Sequence, residues 1–170
     1  ADLVLALGCG LRESYQEKDL RYDKIIIMTD ADVDGAHIAS LLITFFHEEI
    51  PSIIHEGKLF IAVPPLYKLT QKGKTFYARD DEHRESVIEK NFNRSNKIEI
   101  NRFKGLGEMM PSQLKETTML PGNRTLLRVV IPENEKEITQ KTISDLMGNK
   151  PELRFEFIRE KANLYSELNL

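Results

Sequence analysis

The sequence has 170 residues, of which 41% are hydrophobic and 30% charged, with 27 acidic against 24 basic side chains. A chain of this length can bury one sizeable core, or one domain and a small appendage. The near balance of charge gives no overall electrostatic attraction to nucleic acid. The single cysteine, Cys9, excludes a disulfide framework and a cysteine-based metal site, and it fits a reducing compartment. No apolar run approaches the ~20 residues of a membrane span.

The first ten residues, ADLVLALGCG, are typical of the end of a helix that stops at Gly8 and Gly10. They lack the basic start and the long apolar core of a signal peptide. No methionine comes first. We therefore expect these residues to be part of a longer chain.

Apolar strands alternate with helical segments in the first part of the sequence, which is typical of a parallel α/β unit. KIIIM at 24–28 predicts a strand buried on both faces. Apolar spacing predicts a helix from Ala36 to Glu49, and Pro51 begins a second short helix that Gly57 ends. KLFIAV at 58–63 predicts the next strand. Units of this kind bind ligands at the carboxyl ends of their strands.

The rest of the sequence changes in character and predicts a tail of mixed α and β structure that becomes helical. The first predicted elements are a hairpin at 66–78 that turns at Lys72-Gly73, a polar helix at 80–92, and a strand with a glycine turn at 97–110. A helix that begins at Pro111, a strand at 124–132, and two helices from Glu135 on that separate at GNKP follow them.

Three aspartates, Asp30, Asp32 and Asp34, follow the first predicted strand. In an extended backbone, residues two apart point the same way and lie roughly 6.5 Å from one another, so the three carboxylates could converge. Carboxylates held together need protons or a cation to neutralise them. Oxygen ligands favour a hard cation such as Mg²⁺. The alternative is that one aspartate caps the following helix, with Asp34 best placed for it, while the others are solvated.

Other classes of site compete for the same residues. DADVDG matches the first half of a calcium-binding loop, but that loop needs glutamate at its twelfth position, which here is Leu41. A Mg²⁺-dependent phosphohydrolase of the haloacid dehalogenase type also has D-x-D after an apolar strand, although it usually has Thr or Val in place of Asp34. That class, acting through Asp30 and Asp32, stays open, as does a docking module in which the acids are structural.

IIIMTDADVDGAHI resembles the acidic D-x-D-x-D motif of the Toprim domain in type IIA DNA topoisomerases. Five further segments resemble B subunits of that family, in the same order: LALGCGL (5–11), GKLFIAVPPLYKL (57–69), RFKGLGEM (102–109), QLKETTM (113–119) and RTLLRV (124–129). The resemblance covers nearly the whole chain. GAHIASLLITFF and AVPPLYKLTQKGKTFYARDD are more similar to the B subunit of bacterial topoisomerase IV, with gyrase B as the alternative.

The resemblance implies that Asp30 and Asp32 are the principal Mg²⁺ ligands at a DNA phosphodiester, with Asp34 as a supporting acid. The nucleophile would be a tyrosine of the A subunit, so no tyrosine of this chain, including Tyr67 and Tyr77, should attack phosphorus. Family B subunits also use a glutamate in an EGDSA-like motif and a basic PLRGK-like segment, and neither occurs in this sequence. The chain should therefore hold part of the metal site and should not cleave DNA alone.

Three basic residues match DNA-contacting positions of the family. His37 follows the aspartates by one helical step, where an ordinary histidine would simply satisfy its ring near a helix end. Lys104 stands beside two glycines in KGLG, a turn in which backbone and ammonium groups could both meet phosphate. Arg154 would otherwise be a solvated charge on an amphipathic helix. The resemblance implies that all three lie near DNA.

The resemblance also implies a division of the chain and a set of partners. Residues 1–80 would form a Toprim-type, Rossmann-like parallel sheet flanked by helices, with its N-terminal part missing. Residues 81–134 would carry RFKGLGEM, and 135–170 would form a helical tail. Apolar residues recur in that tail at helical spacing and either pack on their own domain or contact the A subunit: Phe155, Ile158, Ala162 and Tyr165.

The implied whole enzyme is an A₂B₂ heterotetramer completed by the topoisomerase IV A subunit. It would pass one DNA duplex through another, would bind ATP only upstream of this chain, and would work with the chromosome in the bacterial cytoplasm.

Overall fold

The computed structural model describes residues 2–93 and 95–168, with 163–168 described by their backbone only. The helices in these residues are α1 Asp2–Leu7, α2 Val33–Glu49, α3 Pro51–His55, α4 Asp81–Asn91, α5 Pro111–Leu114, α6 Lys136–Met147 and α7 Pro151–Leu168. The strands are β1 Ile25–Ile27, β2 Leu59–Val63, β3 Tyr67–Gln71, β4 Lys74–Ala78, β5 Glu99–Arg102 and β6 Thr125–Arg128. A π-helical turn, Lys115–Met119, continues α5.

The first sheet has the order β1-β2-β6 and contains the predicted parallel pair. β1 runs parallel to β2, with Ile25 opposite Leu59, and β6 pairs antiparallel with β2. Parallel strands need a long crossover, which α2 and α3 provide. Phe46 and Ile53 from these helices pack against Leu59, and each is at most 1% exposed. The α/β fold with a helical tail is therefore confirmed.

The second sheet is antiparallel, with the order β4-β3-β5. Its hairpin turns at Lys72-Gly73 as predicted, and both turn residues have positive φ, 49° and 81°. These angles are those of a type I′ turn, which matches the twist of paired strands. α4 covers this sheet by packing Val87 and Ile88 against Leu69. The segment 81–134 thus contributes one strand, β5, to this sheet and another, β6, to the first.

The two C-terminal helices are joined through a side chain. Nη1 of Arg154 on α7 donates hydrogen bonds to the carbonyl oxygens of Leu146, at 3.3 Å, and Gly148, at 2.7 Å. The last carbonyls of a helix lack partners within the helix, so this guanidinium caps α6. Phe155 and Ile158 of α7 are 65% and 64% exposed, so they do not pack on their own domain. Tyr165, the last residue of the predicted apolar stripe, has a side chain outside the described residues.

Among the described residues, none of the helices combines the length and the apolar character that crossing a membrane would require.

Lys72 limits the stability of the hairpin because a lysine rarely adopts positive φ. We expect Lys72→Asn to raise the free energy of unfolding by about 0.5–1 kcal/mol, since Asn-Gly is the preferred type I′ pair. Urea denaturation measures the change. The control is Lys74→Asn, which alters an exposed lysine in the adjoining strand. An equal gain in both variants would show that the turn does not limit stability.

Arg154→Ala should lower the free energy of unfolding by about 1–2 kcal/mol, because two carbonyl groups at the end of α6 lose a charged donor. Thermal denaturation followed by circular dichroism measures this loss. Arg159→Ala, which removes an exposed arginine from the same helix, is the matched control and should unfold like the parent. If both variants unfold at the parent temperature, the cap contributes nothing.

Candidate functional site

The three aspartates lie in the connection between β1 and α2. β1 ends at Ile27, and α2 begins at Val33, so Asp34 is already in the first helical turn. The extended run that would aim all three carboxylates at one point is therefore absent, and that expectation was wrong. The reason is local: the chain turns into helix at Val33, three residues after Asp30, so the extended backbone does not continue from Asp32 to Asp34.

Asp32, and not Asp34, caps α2, which corrects the position favoured for the cap. Oδ1 of Asp32 accepts a hydrogen bond from the backbone N–H of Gly35 at 2.7 Å, and its own backbone is extended, with φ −127°. An aspartate in this conformation satisfies one of the free N–H groups of the first turn. The helix consequently begins at Val33, three residues before the predicted start at Ala36.

Asp34 and His37 share one exposed face of α2. The spacing of Asp34, His37, Ile38 and Leu41 places them on the same side of the helix, and all four are exposed. A carboxylate in the first turn interacts favourably with the helix dipole. This face therefore presents an acid, a histidine and two apolar side chains to solvent, beside the loop that carries Asp30 and Asp32.

Asp30 is held by the glycine turn that follows β5. The backbone N–H of Leu106 donates to Oδ1 of Asp30 at 2.7 Å. A Cβ added to Gly105 would lie 3.0 Å from Oδ2 of the same carboxylate. Nothing in the local sequence pattern pointed to this contact, although the glycines of KGLG and of DADVDG were signals that the backbone comes close to something here.

Gly35 makes the second close approach to Asp30. A Cβ at this position would lie 2.0 Å from the carbonyl oxygen of Asp30, a distance that real side chains do not tolerate. The start of α2 can therefore pack on the Asp30 backbone only with glycine at position 35. Asp30 is thus fixed at its backbone by one glycine and at its carboxylate by another.

A cavity of about 550 Å³ opens beside the two aspartates. Its lining includes Asp30, Asp32, small side chains of α2, the end of β2 and Arg79. Both aspartates are exposed, and one oxygen of each is hydrogen-bonded to a backbone N–H. The arrangement gives two oriented carboxylates at the carboxyl end of a parallel pair, where α/β folds bind ligands.

This donor set fits part of a magnesium site. In residues 2–93 and 95–168, no three Asp, Glu, His or Cys side chains are placed to hold a metal ion together. Mg²⁺ commonly keeps several waters and binds through one or two carboxylates plus substrate phosphates. Asp30 and Asp32 therefore fit such an ion as a partial shell that needs further oxygen ligands.

Lys104 is brought near the aspartates, whereas Arg154 is not. Lys104 is exposed, precedes Gly105, and donates its backbone N–H to Oε2 of Glu108 at 2.8 Å. Arg154 binds the end of α6, a helix that lies against the C-terminal half of α2. The aspartates are at the opposite end of α2. The hydrogen bonds to the end of α6 give Arg154 a structural role. The expectation that Arg154 lies near DNA stays a prediction.

The two tyrosines of the middle segment have structural surroundings. Tyr67 is 5% exposed, and its hydroxyl donates to Oδ1 of Asp81 at 2.7 Å. The guanidinium groups of Arg84 and Arg102 lie over its ring, at 4.9 Å and 5.9 Å from the ring centre. Burial raises the pKa of Tyr77, which makes its phenolate harder to form. Neither setting is that of an activated nucleophile.

Two family models match the chain: "Toprim domain" over residues 7–63, and "DNA gyrase B subunit, carboxyl terminus" over 95–159. The whole chain is 60% identical to the B subunit of DNA topoisomerase 4 from Bartonella bacilliformis over 170 residues, which are 25% of that protein. It is 58% identical to the protein of the same name from Caulobacter vibrioides, over 98% of the chain and 24% of the relative. The B subunit of DNA gyrase from Thermotoga maritima is 43% identical over 100% of the chain and 26% of its own length.

The chain therefore spans about a quarter of the length of these relatives. Both family models fall in the order in which the sequence motifs occur, the acidic motif in the first and RFKGLGEM in the second. The chain belongs to the family of type IIA DNA topoisomerase B subunits, in the part of them that carries the Toprim domain.

Proposed function

We propose that this chain forms the metal-holding half of the DNA cleavage and religation centre of an ATP-dependent type IIA topoisomerase. The observation that carries the proposal is the pair Asp30 and Asp32, each oriented by a backbone N–H beside one open cavity. The identity of 54–60% to B subunits of topoisomerase 4, against 43% for one of gyrase, favours topoisomerase IV. The gyrase B subunit is the alternative.

Asp30 and Asp32 would hold Mg²⁺, with Asp34 as a supporting acid at the start of α2. When bound, the metal supplies polarisation of the phosphoryl oxygens and stabilisation of the leaving 3′-oxygen. The chain's own contribution is orientation: one oxygen of each aspartate is fixed by a backbone donor before any ligand arrives. Carboxylates held in place in this way need no reorganisation on binding.

DNA would approach across the exposed face of α2 and the glycine turn. His37 lies on that face, and Lys104 is exposed beside the residues that hold Asp30. An imidazole N–H and an ammonium group are suited to phosphate oxygens, and such contacts position a duplex without reading its sequence. The guanidinium of Arg154 is hydrogen-bonded to the end of α6. Any contact of Arg154 with DNA would be in addition to this capping role.

The A subunit of topoisomerase IV would supply the nucleophilic tyrosine in an A₂B₂ heterotetramer. The exposed apolar side chains of α6 and α7 support a protein interface in the tail, with Ile138 at 67%, Phe155 at 65% and Ile158 at 64% exposure. Burying apolar side chains of this size is the usual driving force of subunit contacts. ATP would bind upstream of this chain, and the whole enzyme would pass duplexes near the chromosome in the bacterial cytoplasm.

The decisive variant is Asp32→Asn in the full-length parent, assembled with its A subunit, Mg²⁺ and duplex DNA. Asparagine still accepts the hydrogen bond of the helix cap but removes the charge. We expect cleavage to fall by about 100-fold or more, because a lost ligand charge removes several kcal/mol of stabilisation at the phosphate. ATPase activity, measured in parallel, should survive.

Asp80→Asn is the matched control. Asp80 caps α4 as Asp32 caps α2, accepting from the N–H of His83 at 2.7 Å, so the same substitution keeps the cap and removes a charge outside the site. If Asp32→Asn cleaves as well as Asp80→Asn, the aspartates are structural and the proposed site is wrong. A Mg²⁺-dependent phosphohydrolase, by contrast, requires that the 170-residue chain alone hydrolyse small phosphomonoesters.

A further inference from the structure

We propose that Gly105 and Leu106 are positioning residues for Asp30: they form a backbone seat, defined here as these two residues, that sets the carboxylate in its metal-binding orientation. The proposal rests on the proposed role of Asp30 as a metal ligand. It assigns to the glycine turn a task other than contact with DNA, namely control of the affinity of the site for its cation.

The seat is defined by two contacts. Leu106 N–H donates to Oδ1 of Asp30 at 2.7 Å, a distance typical of a strong hydrogen bond to an ionised acceptor. Gly105 lies so close that a Cβ there would be 3.0–3.2 Å from both carboxylate oxygens and the carbon between them. A side chain at position 105 would therefore shift the Asp30 carboxylate or the turn by a few tenths of an ångström.

The other glycine of the same turn behaves differently. A Cβ added to Gly107 would meet nothing within 4 Å. Steric demand within the turn is thus confined to position 105, on the side that faces Asp30. If the glycines were needed only to bend the turn, or only to let a phosphate approach, a Cβ at position 105 would have no reason to crowd Asp30 in particular.

The hydrogen bond also orients the carboxylate. Oδ1 accepts from Leu106 N–H, and we expect the other oxygen, Oδ2, to face a cation. Partners of this kind, behind the residues that touch a metal, commonly change metal affinity by about 10- to 100-fold when removed. The same range is expected here.

Lys104 directly precedes the seat, and its backbone N–H is tied to Glu108. A phosphate that binds the Lys104 ammonium would therefore act on the same short turn that holds Asp30. If DNA binds more tightly when the turn is hydrogen-bonded to Asp30, binding of DNA and binding of the cation strengthen each other by the same factor.

The test uses the full-length parent chain in complex with an A subunit whose nucleophilic tyrosine is changed to phenylalanine, and with duplex DNA. Mn²⁺ is the probe, because the electron paramagnetic resonance signal of the free ion reports how much is bound without any cleavage. Asp30→Ala defines binding that does not involve the site. The apparent Mn²⁺ dissociation constant is then compared across matched variants.

Gly105→Ala should weaken Mn²⁺ binding by about 10- to 100-fold, whereas Gly107→Ala should keep the parent value. Leu106→Pro removes the donating N–H and places a ring carbon beside Oδ1 of Asp30. The substitution is at the first position of a 3-10 turn, Leu106–Glu108, where the backbone accepts proline and the preceding residue is extended. It should weaken binding by a similar factor. Leu106→Ala keeps the N–H and measures the loss of the side chain, so its effect should be clearly smaller.

A purely structural turn would lower the melting temperature in these variants and leave the Mn²⁺ dissociation constant unchanged. Parent-like constants in both Gly105→Ala and Leu106→Pro, with the site signal lost in Asp30→Ala, would overturn the inference and leave the proposed function standing. Parent-like binding in Asp30→Ala itself would overturn the proposed function, and the seat with it.

Discussion

The hydrogen bond between Leu106 N–H and Asp30 joins residues that are 76 positions apart, and the site depends on it. For the two to meet, the chain must leave β1, cross through α2 and α3 to β2, form the second sheet and return after β5. The antiparallel pairing of β6 with β2 then fixes the returning segment on the first sheet. The segment matched by the Toprim model and the segment matched by the gyrase B model therefore meet at the Asp30 carboxylate.

The structure accommodates the three carboxylates by separating them rather than by gathering them. Asp32 gives one oxygen to the start of α2, Asp30 gives one to Leu106, and Asp34 stands in the first turn, where the helix dipole offsets its charge. All three stay exposed to solvent, which screens their repulsion. A negative cluster at the end of a strand is thus tolerable without a cation.

Much of the fold could be predicted from local pattern, because local physics decides it. The isoleucine run of β1, the proline at the start of α3 and the Lys72-Gly73 turn each specify a conformation with few alternatives. The cap of α2 could not be chosen among three aspartates, since all are good caps and the point where the chain turns depends on the approach of Gly35 to Asp30. The contact of Leu106 with Asp30 and the contact of Arg154 with the end of α6 are tertiary, so no periodicity of the sequence predicts them.

Two fixed carboxylates, and not more, suit the proposed chemistry. A cation surrounded by protein oxygens would have no position left for a phosphate, and its shell would have to open before every reaction. With Asp30 and Asp32 as a partial shell, the remaining positions stay available to phosphate oxygens, water and ligands from elsewhere in the enzyme. Rigidity in the two residues then matters more than their number, because each must present the same oxygen whenever DNA arrives. The glycines at positions 35 and 105 provide that rigidity by letting the backbone pack directly against Asp30.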